Sequence, residues 1–203
     1  MFAETEAIIH LAARRADTLS GASTRADFIT VNDVFLATGD GYKTQLSTSQ
    51  SVLILPYIGD IEIKKAGKVL LLEENQALTF EGQTATEFEI ANPYADDAIN
   101  FFEVLLQSPV FDQETVAVID VQARPNVFLP IAKSAFIGQF DGREEGVYKL
   151  QTLDSKLFVY VIEGVFEVQN RLLHARDALT LWHLAVLEFE ALSANAILLI
   201  VEI

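Results

Sequence analysis

The sequence has no cysteine, which removes disulfide frameworks, thiolate nucleophiles and thiolate metal sites together. Histidine is almost as scarce: His10, His174 and His183 are the whole supply in 203 residues. Positive charge is also short, with 14 Lys and Arg against 29 Asp and Glu and a formal net charge of −15. Nucleic-acid and anionic-membrane binding both rest on clustered Lys and Arg, so neither partner is expected. The acidity reads most simply as a source of solubility. No apolar run approaches the roughly 18 residues of a membrane-spanning helix. The start, Met1 to Glu6, carries acids where a signal peptide needs bases. A cytoplasmic location is therefore the expectation. Enzyme signatures are missing as well: there is no Gly-x-Ser-x-Gly elbow, no phosphate-cradling Gly-rich loop and no His-Glu-x-x-His. The many carboxylates nominate no single acid–base pair.

What the sequence has is strand signal. Apolar residues make up 51% of the chain and include 14 Phe, enough for a sizeable core, and the length suits two barrels of about 100 residues each. Short runs rich in β-branched and aromatic residues occur at Val52–Leu55, Val69–Leu72, Phe101–Leu105, Leu157–Ile162 and Ile197–Val201. Ile61–Lys64, Phe88–Ile90 and Phe166–Gln169 alternate apolar with polar. Turn chemistry separates the runs at Lys65-Ala66-Gly67-Lys68, Asn92-Pro93-Tyr94, Asp141-Gly142-Arg143 and Gln169-Asn170-Arg171. Helical periodicity is scarce, and Ala7 to Leu11 reads as a strand.

An internal repeat organises these strands. Gly41-Tyr42-Lys43 precedes Gly59 as Gly146-Val147-Tyr148-Lys149 precedes Gly164. Asp60–Ile63 then matches Val165–Val168, Ala77–Phe80 matches Ala178–Leu181, and Glu87–Glu89 matches Glu188–Glu190. Such order predicts an all-β fold made of two copies of one unit. The expected division is an N-terminal barrel over 1–108, with its own first strand and loop, and a linker plus C-terminal barrel over 109–203. The linker has room for a strand at Thr115 to Asp120.

Asn32-Asp33, Gly41-Tyr42, Gly59 and Gln76-x-Leu78 have a spacing that resembles the N-terminal barrel of pirin-like proteins. Phe140-Asp141-Gly142-Arg143 leading to Val161-Ile162-Glu163-Gly164 is similar to their C-terminal half. The resemblance implies a bicupin, two β-sandwich barrels of the double-stranded β-helix type. It also implies a metal site built from His-Pro-His, a later His-x-Glu and, in some members, quercetin dioxygenase activity. At those positions this chain carries Gln45, Leu46, Ser47, Thr86 and Phe88, and no histidine lies between Phe28 and Leu106. Neutral oxygen donors are weak ligands for iron, nickel, copper or zinc. His174 and His183 lack a third ligand.

The expectation is a pirin-like cupin with no metal, no cofactor and no catalytic residues, binding an unidentified small ligand or protein partner. The alternative is a quercetin-dioxygenase-like or other cupin enzyme with atypical ligands. Gln45 and Ser47, two apart on a strand, are expected to point into a small polar cavity with Thr86 and Phe88, walled by Phe28, Tyr42 and Phe102.

Overall fold

The computed structural model describes residues 6–11, 13–14, 22–82, 84–111, 113–152 and 155–203. Among the described residues the regular elements are all strands. In the first half they are β1 (Glu6–His10), β2 (Ala13–Arg14), β3 (Ala22–Ala26), β4 (Ile29–Leu36), β5 (Gly41–Leu46), β6 (Ser51–Ile58), β7 (Ile61–Lys65), β8 (Lys68–Leu72), β9 (Gln76–Glu81), β10 (Thr86–Ala91) and β11 (Ile99–Leu106). In the second half they are β12 (Thr115–Val118), β13 (Leu129–Ala132), β14 (Ala135–Phe140), β15 (Glu145–Lys149), β16 (Leu157–Glu163), β17 (Val165–Val168), β18 (Arg171–His174), β19 (Ala178–Trp182), β20 (Val186–Ala191) and β21 (Ala196–Glu202).

The two halves share one topology. The first barrel pairs a four-stranded sheet, β5-β10-β7-β8, with a larger sheet running β12-β9-β6-β11-β4-β3-β2. The second pairs β15-β20-β17-β18 with β1-β19-β16-β21-β14-β13. Each core lies between its two sheets. Val34, Ile54, Ile63, Phe80, Phe88 and Phe101 represent the first, and Phe140, Val159, Phe166, Leu179, Phe189 and Ile200 the second. The larger sheet of the first barrel is apolar on its reverse face too, where Val31, Leu53, Phe102 and Val104 are fully buried.

Local details repeat with the topology. The β7–β8 hairpin turns through Ala66 and Gly67, and the β17–β18 hairpin through Gln169 and Asn170. All four have positive φ, the primed turn that matches strand twist. Gly59 and Gly164, at φ 76° and 82°, sit at equivalent turns into β7 and β17. The ladder between β6 and β11 shifts register beside Asn100 and Phe101, and that between β16 and β21 shifts between Val161 and Glu163, the same place. The bulge tolerates Pro56 within a central strand, because β9 has already stopped pairing with β6 at Ile54.

Two alignments shift by one step. Ile90 pairs with Ile63 and with Tyr42, whereas Phe189 pairs with Val168 and with Gly146. Gly146 therefore stands where Tyr42 stands, not where Gly41 does. A Cβ at Gly146 would strike the Phe189 ring, which fills that space.

The division of the chain also differs from the boundary expected at 108/109. One compact unit is Ala13–Ile119; the other joins Met1–Ala12 to Asp120–Ile203. The reason is an exchange of edge strands. β1, which opens the first repeat, pairs antiparallel with β19 of the second barrel, Ile8 opposite Thr180. β12, which opens the second repeat, pairs with β9 of the first, Thr115 opposite Thr79. Thr79 and Thr180 are themselves matching positions, so each repeat lends its first strand to the other's barrel. The anticipated strands at Ala7 to Leu11 and in the linker exist, but the first was assigned to the wrong barrel.

Candidate functional site

Alternation along β5 decides which residues enter the first barrel. Leu46 is fully buried, Tyr42 packs against the core and Thr44 is half-buried, while Lys43 and Gln45 are exposed. Ser47, just past the strand, is exposed as well and begins the turn to Gln50. The expectation that Gln45 and Ser47 point into the barrel is corrected: they lie one residue out of phase with the inward face. A shift of one residue moves a strand's whole pattern to the other side. Gln45 instead lies opposite Glu87 in an outer groove of about 460 Å³, with Lys43, Lys64 and Glu89. Lys43 and Lys64 approach Glu89 at 3.7 and 3.8 Å there.

The other expected positions are dispersed. Phe88 is inward, but as core, edge-on to Phe80 with centroids 5.2 Å apart. Thr86 is half-buried and donates to the carbonyl of Thr84 at 2.8 Å. Phe102 lies on the reverse face of the larger sheet, opposite Asp33, with its ring 5.5 Å from that of Tyr57. Phe28 is half-buried at the turn into β4. Tyr42 alone meets the polar centre of the barrel.

That centre is Glu103, which the sequence reading did not single out. It sits on β11 between Asn32 of β4 and Ile54 of β6, wholly buried. Its Oε2 accepts from Asn32 Nδ2 at 2.8 Å and from Tyr42 Oη at 2.8 Å. Ser23 Oγ donates in turn to Asn32 Oδ1 at 3.1 Å. Among the described residues, Glu103 Oε1 has no hydrogen-bond partner. The Tyr42 ring meets Phe101 edge-on at 5.7 Å, which fixes the phenol above the carboxyl group.

The second barrel holds a counterpart one inward step along the same strands. Glu202 of β21 accepts from Tyr148 Oη of β15 at 2.9 Å, from the Gln151 amide at 3.0 Å and from the Thr152 amide at 2.8 Å. Both oxygens are used, so this carboxylate ties the segment after β15 to the end of β21. Burial, with the Glu202 carboxylate adding to it against an opposing hydrogen bond to Gln151, pushes the Tyr148 hydroxyl up to about 12. A raised phenol favours the folded state below the ordinary tyrosine range, near pH 10. That contribution is lost as pH climbs from about 10 towards 12. In Tyr148→Phe, the alkaline fall in urea midpoint over this window is expected to be smaller, together with loss of one phenolate absorbance step above the ordinary tyrosine range. An unchanged alkaline profile would contradict this assignment.

Do these residues fit a metal? The side chains facing inward from β5 and β10 are Tyr42, Thr44, Leu46, Thr86, Phe88 and Ile90, none of them imidazole or carboxylate. Glu103 adds one carboxylate, already engaged by two neutral donors. A cupin transition metal needs several imidazole nitrogens at fixed geometry, often with a carboxylate, so this donor set does not fit one. His174 and His183 are both exposed, and His10 bonds Thr180 Oγ1 at 2.9 Å. Among the described residues, no three His, Cys, Asp or Glu converge as a metal site would require.

Comparison with known proteins agrees with this architecture. Residues 129–202 match the family described as the quercetinase C-terminal cupin domain. No curated protein matches the chain. Among solved structures, the chain is similar to YhhW from Escherichia coli, with 13% identity, a TM-score of 0.75 and 97% of each chain covered. A nickel(II) complex of that bacterial pirin gives 13% identity and a TM-score of 0.74, covering 97% of this chain and 98% of that one. Quercetin 2,3-dioxygenase from Acinetobacter baumannii gives 12% identity and a TM-score of 0.69, covering 96% of this chain and 84% of that one. The duplicated barrels make the protein a bicupin. Its fold is that of the pirin-like bicupins.

Proposed function

We propose that the protein is a pirin-like cupin without a metal centre, and that its role is binding rather than catalysis. The observation that carries this reading is the inward donor set of the first barrel, with one carboxylate and no imidazole. Cupin oxygen chemistry needs a metal to bind substrate and handle oxygen, work that side chains alone do poorly. We take the ligand to be a small molecule and, from the acidic composition, the location to be the cytoplasm. Among the described residues, no helix is long and apolar enough to cross a membrane.

The second reading is an oxidoreductase of the quercetinase type. The match of residues 129–202 to a quercetinase domain favours it. Elemental analysis and native mass spectrometry of the protein as isolated, with an assay of oxygen-dependent flavonol consumption, separate the two. The expected result is far less than one transition metal per chain and no flavonol turnover, with or without added nickel or iron. One tightly held metal per chain in the first barrel would promote the enzyme reading.

A further inference from the structure

The duplication supplies an internal control for the buried carboxylates. Glu202 and Glu103 stand one inward step apart in equivalent barrels, each beneath a tyrosine of the smaller sheet. Glu202 is saturated by three donors, two of them backbone amides that it holds in place. Its arrangement is complete as architecture. Glu103 bonds through Oε2 alone, and Oε1 is buried without a partner. Buried polar atoms in folded proteins are nearly always paired, and among the described residues Glu103 Oε1 is the one buried carboxylate oxygen that is not, which marks a place where another group belongs.

We propose that Glu103 is the anchor of a binding site in the first barrel for a small, neutral, largely apolar molecule bearing one hydroxyl group, which pairs with Oε1. The inference rests on the binding reading above and names its site. A hydroxyl suits because it can donate to an ionised carboxylate or accept from a protonated carboxyl group. It also brings no charge into surroundings that include Phe101 and Leu105. The ligand enters where Tyr42 stands. That residue is half-buried while its hydroxyl rests on the fully buried Glu103, so its ring runs from near the surface to the anchor. The site is separate from Gln45, Ser47, Thr86 and Phe88, the positions that resemblance offered.

The test uses phenol and toluene, near-equal in shape and differing in the hydroxyl, titrated into the full chain and followed by NMR and calorimetry. Phenol is expected to bind saturably, with shifts centred on Tyr42, Phe101 and Glu103. Toluene should bind on the order of tenfold more weakly, the difference that one unmatched hydrogen bond makes. Glu103→Leu should bring the phenol-to-toluene ratio close to one, and Glu202→Gln should leave it as in the wild type. If Glu103→Leu does not fold, the wild-type ratio and the location of the shifts still decide. No saturable phenol binding, equal affinity for toluene, or shifts confined to the second barrel would overturn the proposal. A stoichiometric metal would defeat the metal-free reading yet leave the phenol result readable. Loss of the phenol preference would defeat the anchor and leave the metal assay untouched.

Discussion

Glu103→Ala is expected to destabilise the first barrel by about 3–5 kcal/mol, because it combines a cavity with the loss of two hydrogen bonds to a buried carboxylate. Asn32 Nδ2 and Tyr42 Oη both lose their acceptor at 2.8 Å. Each buried donor left without a partner costs roughly 1–3 kcal/mol, and alanine returns little apolar contact in exchange. Tyr42 can turn towards solvent, which relieves part of the cost; Asn32, 3% exposed, has no such route. The triple variant Glu103→Leu, Asn32→Leu, Tyr42→Phe should come within about 1 kcal/mol of the wild type, since donors and acceptor go together and the half-buried Ser23 hydroxyl can turn to water. Urea unfolding with unchanged slope, read alongside amide exchange in β11 and β21, measures both. A loss under about 1 kcal/mol for Glu103→Ala would mean that the cluster does not hold the barrel as described. Recovery in the triple variant would show that stability alone does not require a polar centre here.

The other large effect is expected at the repeated turn. Gly164→Val should cost about 3–5 kcal/mol, as strain and overpacking add. The backbone there has φ 82°, which a β-branched residue adopts only under strain. A Cβ would also lie 2.8 Å from Ala196 Cβ and strike Ser193 Oγ, which accepts from the Val165 amide. Gly59→Val should behave alike, with its Cβ 2.9 Å from Ile99 Cγ2 and 3.0 Å from the Tyr94 ring. Thermal unfolding of the two variants provides the comparison. A Gly164→Val protein that melts like the wild type would break the link between the repeated glycine and the turn it serves.

Much of the fold could be read from the sequence because strand alternation and turn residues are local. The primed turns at Ala66-Gly67 and Gln169-Asn170, the Gly59 and Gly164 pair and the match of Ala77–Phe80 to Ala178–Leu181 all state the duplication directly. The site was harder for two physical reasons. On β5 the spacing of glycines fixed which segment was meant but not its phase, and Gln45 and Ser47 fell on the wrong face. On β11 every residue from Phe101 to Val104 is buried, since both faces of that sheet are covered, so the segment read as one apolar run and its glutamate was passed over. The available signal was its parity: Glu103 shares a face with Phe101 and Leu105, not with solvent. Edge pairing has no local signature at all, which is why β1 could be seen as a strand without its barrel being known.

The exchanged strands give the chain an order of events. β1 is made long before its partner β19; His10 and Thr180, which bond across that ladder, are 170 residues apart. Everything that closes the unit Ala13–Ile119 has been synthesised by the time the linker emerges, β12 included. The second barrel, by contrast, is closed at one edge by a strand that has waited while the residues of both barrels were made. Distant pairing of this kind slows folding and leaves an open sheet edge in the interval. A fragment cut after β1 would keep that edge open permanently at β19, an invitation to association with other chains. The covalent joining of the two repeats thus does more than hold two barrels on one chain: it makes a strand synthesised ahead of the first barrel an edge of the second.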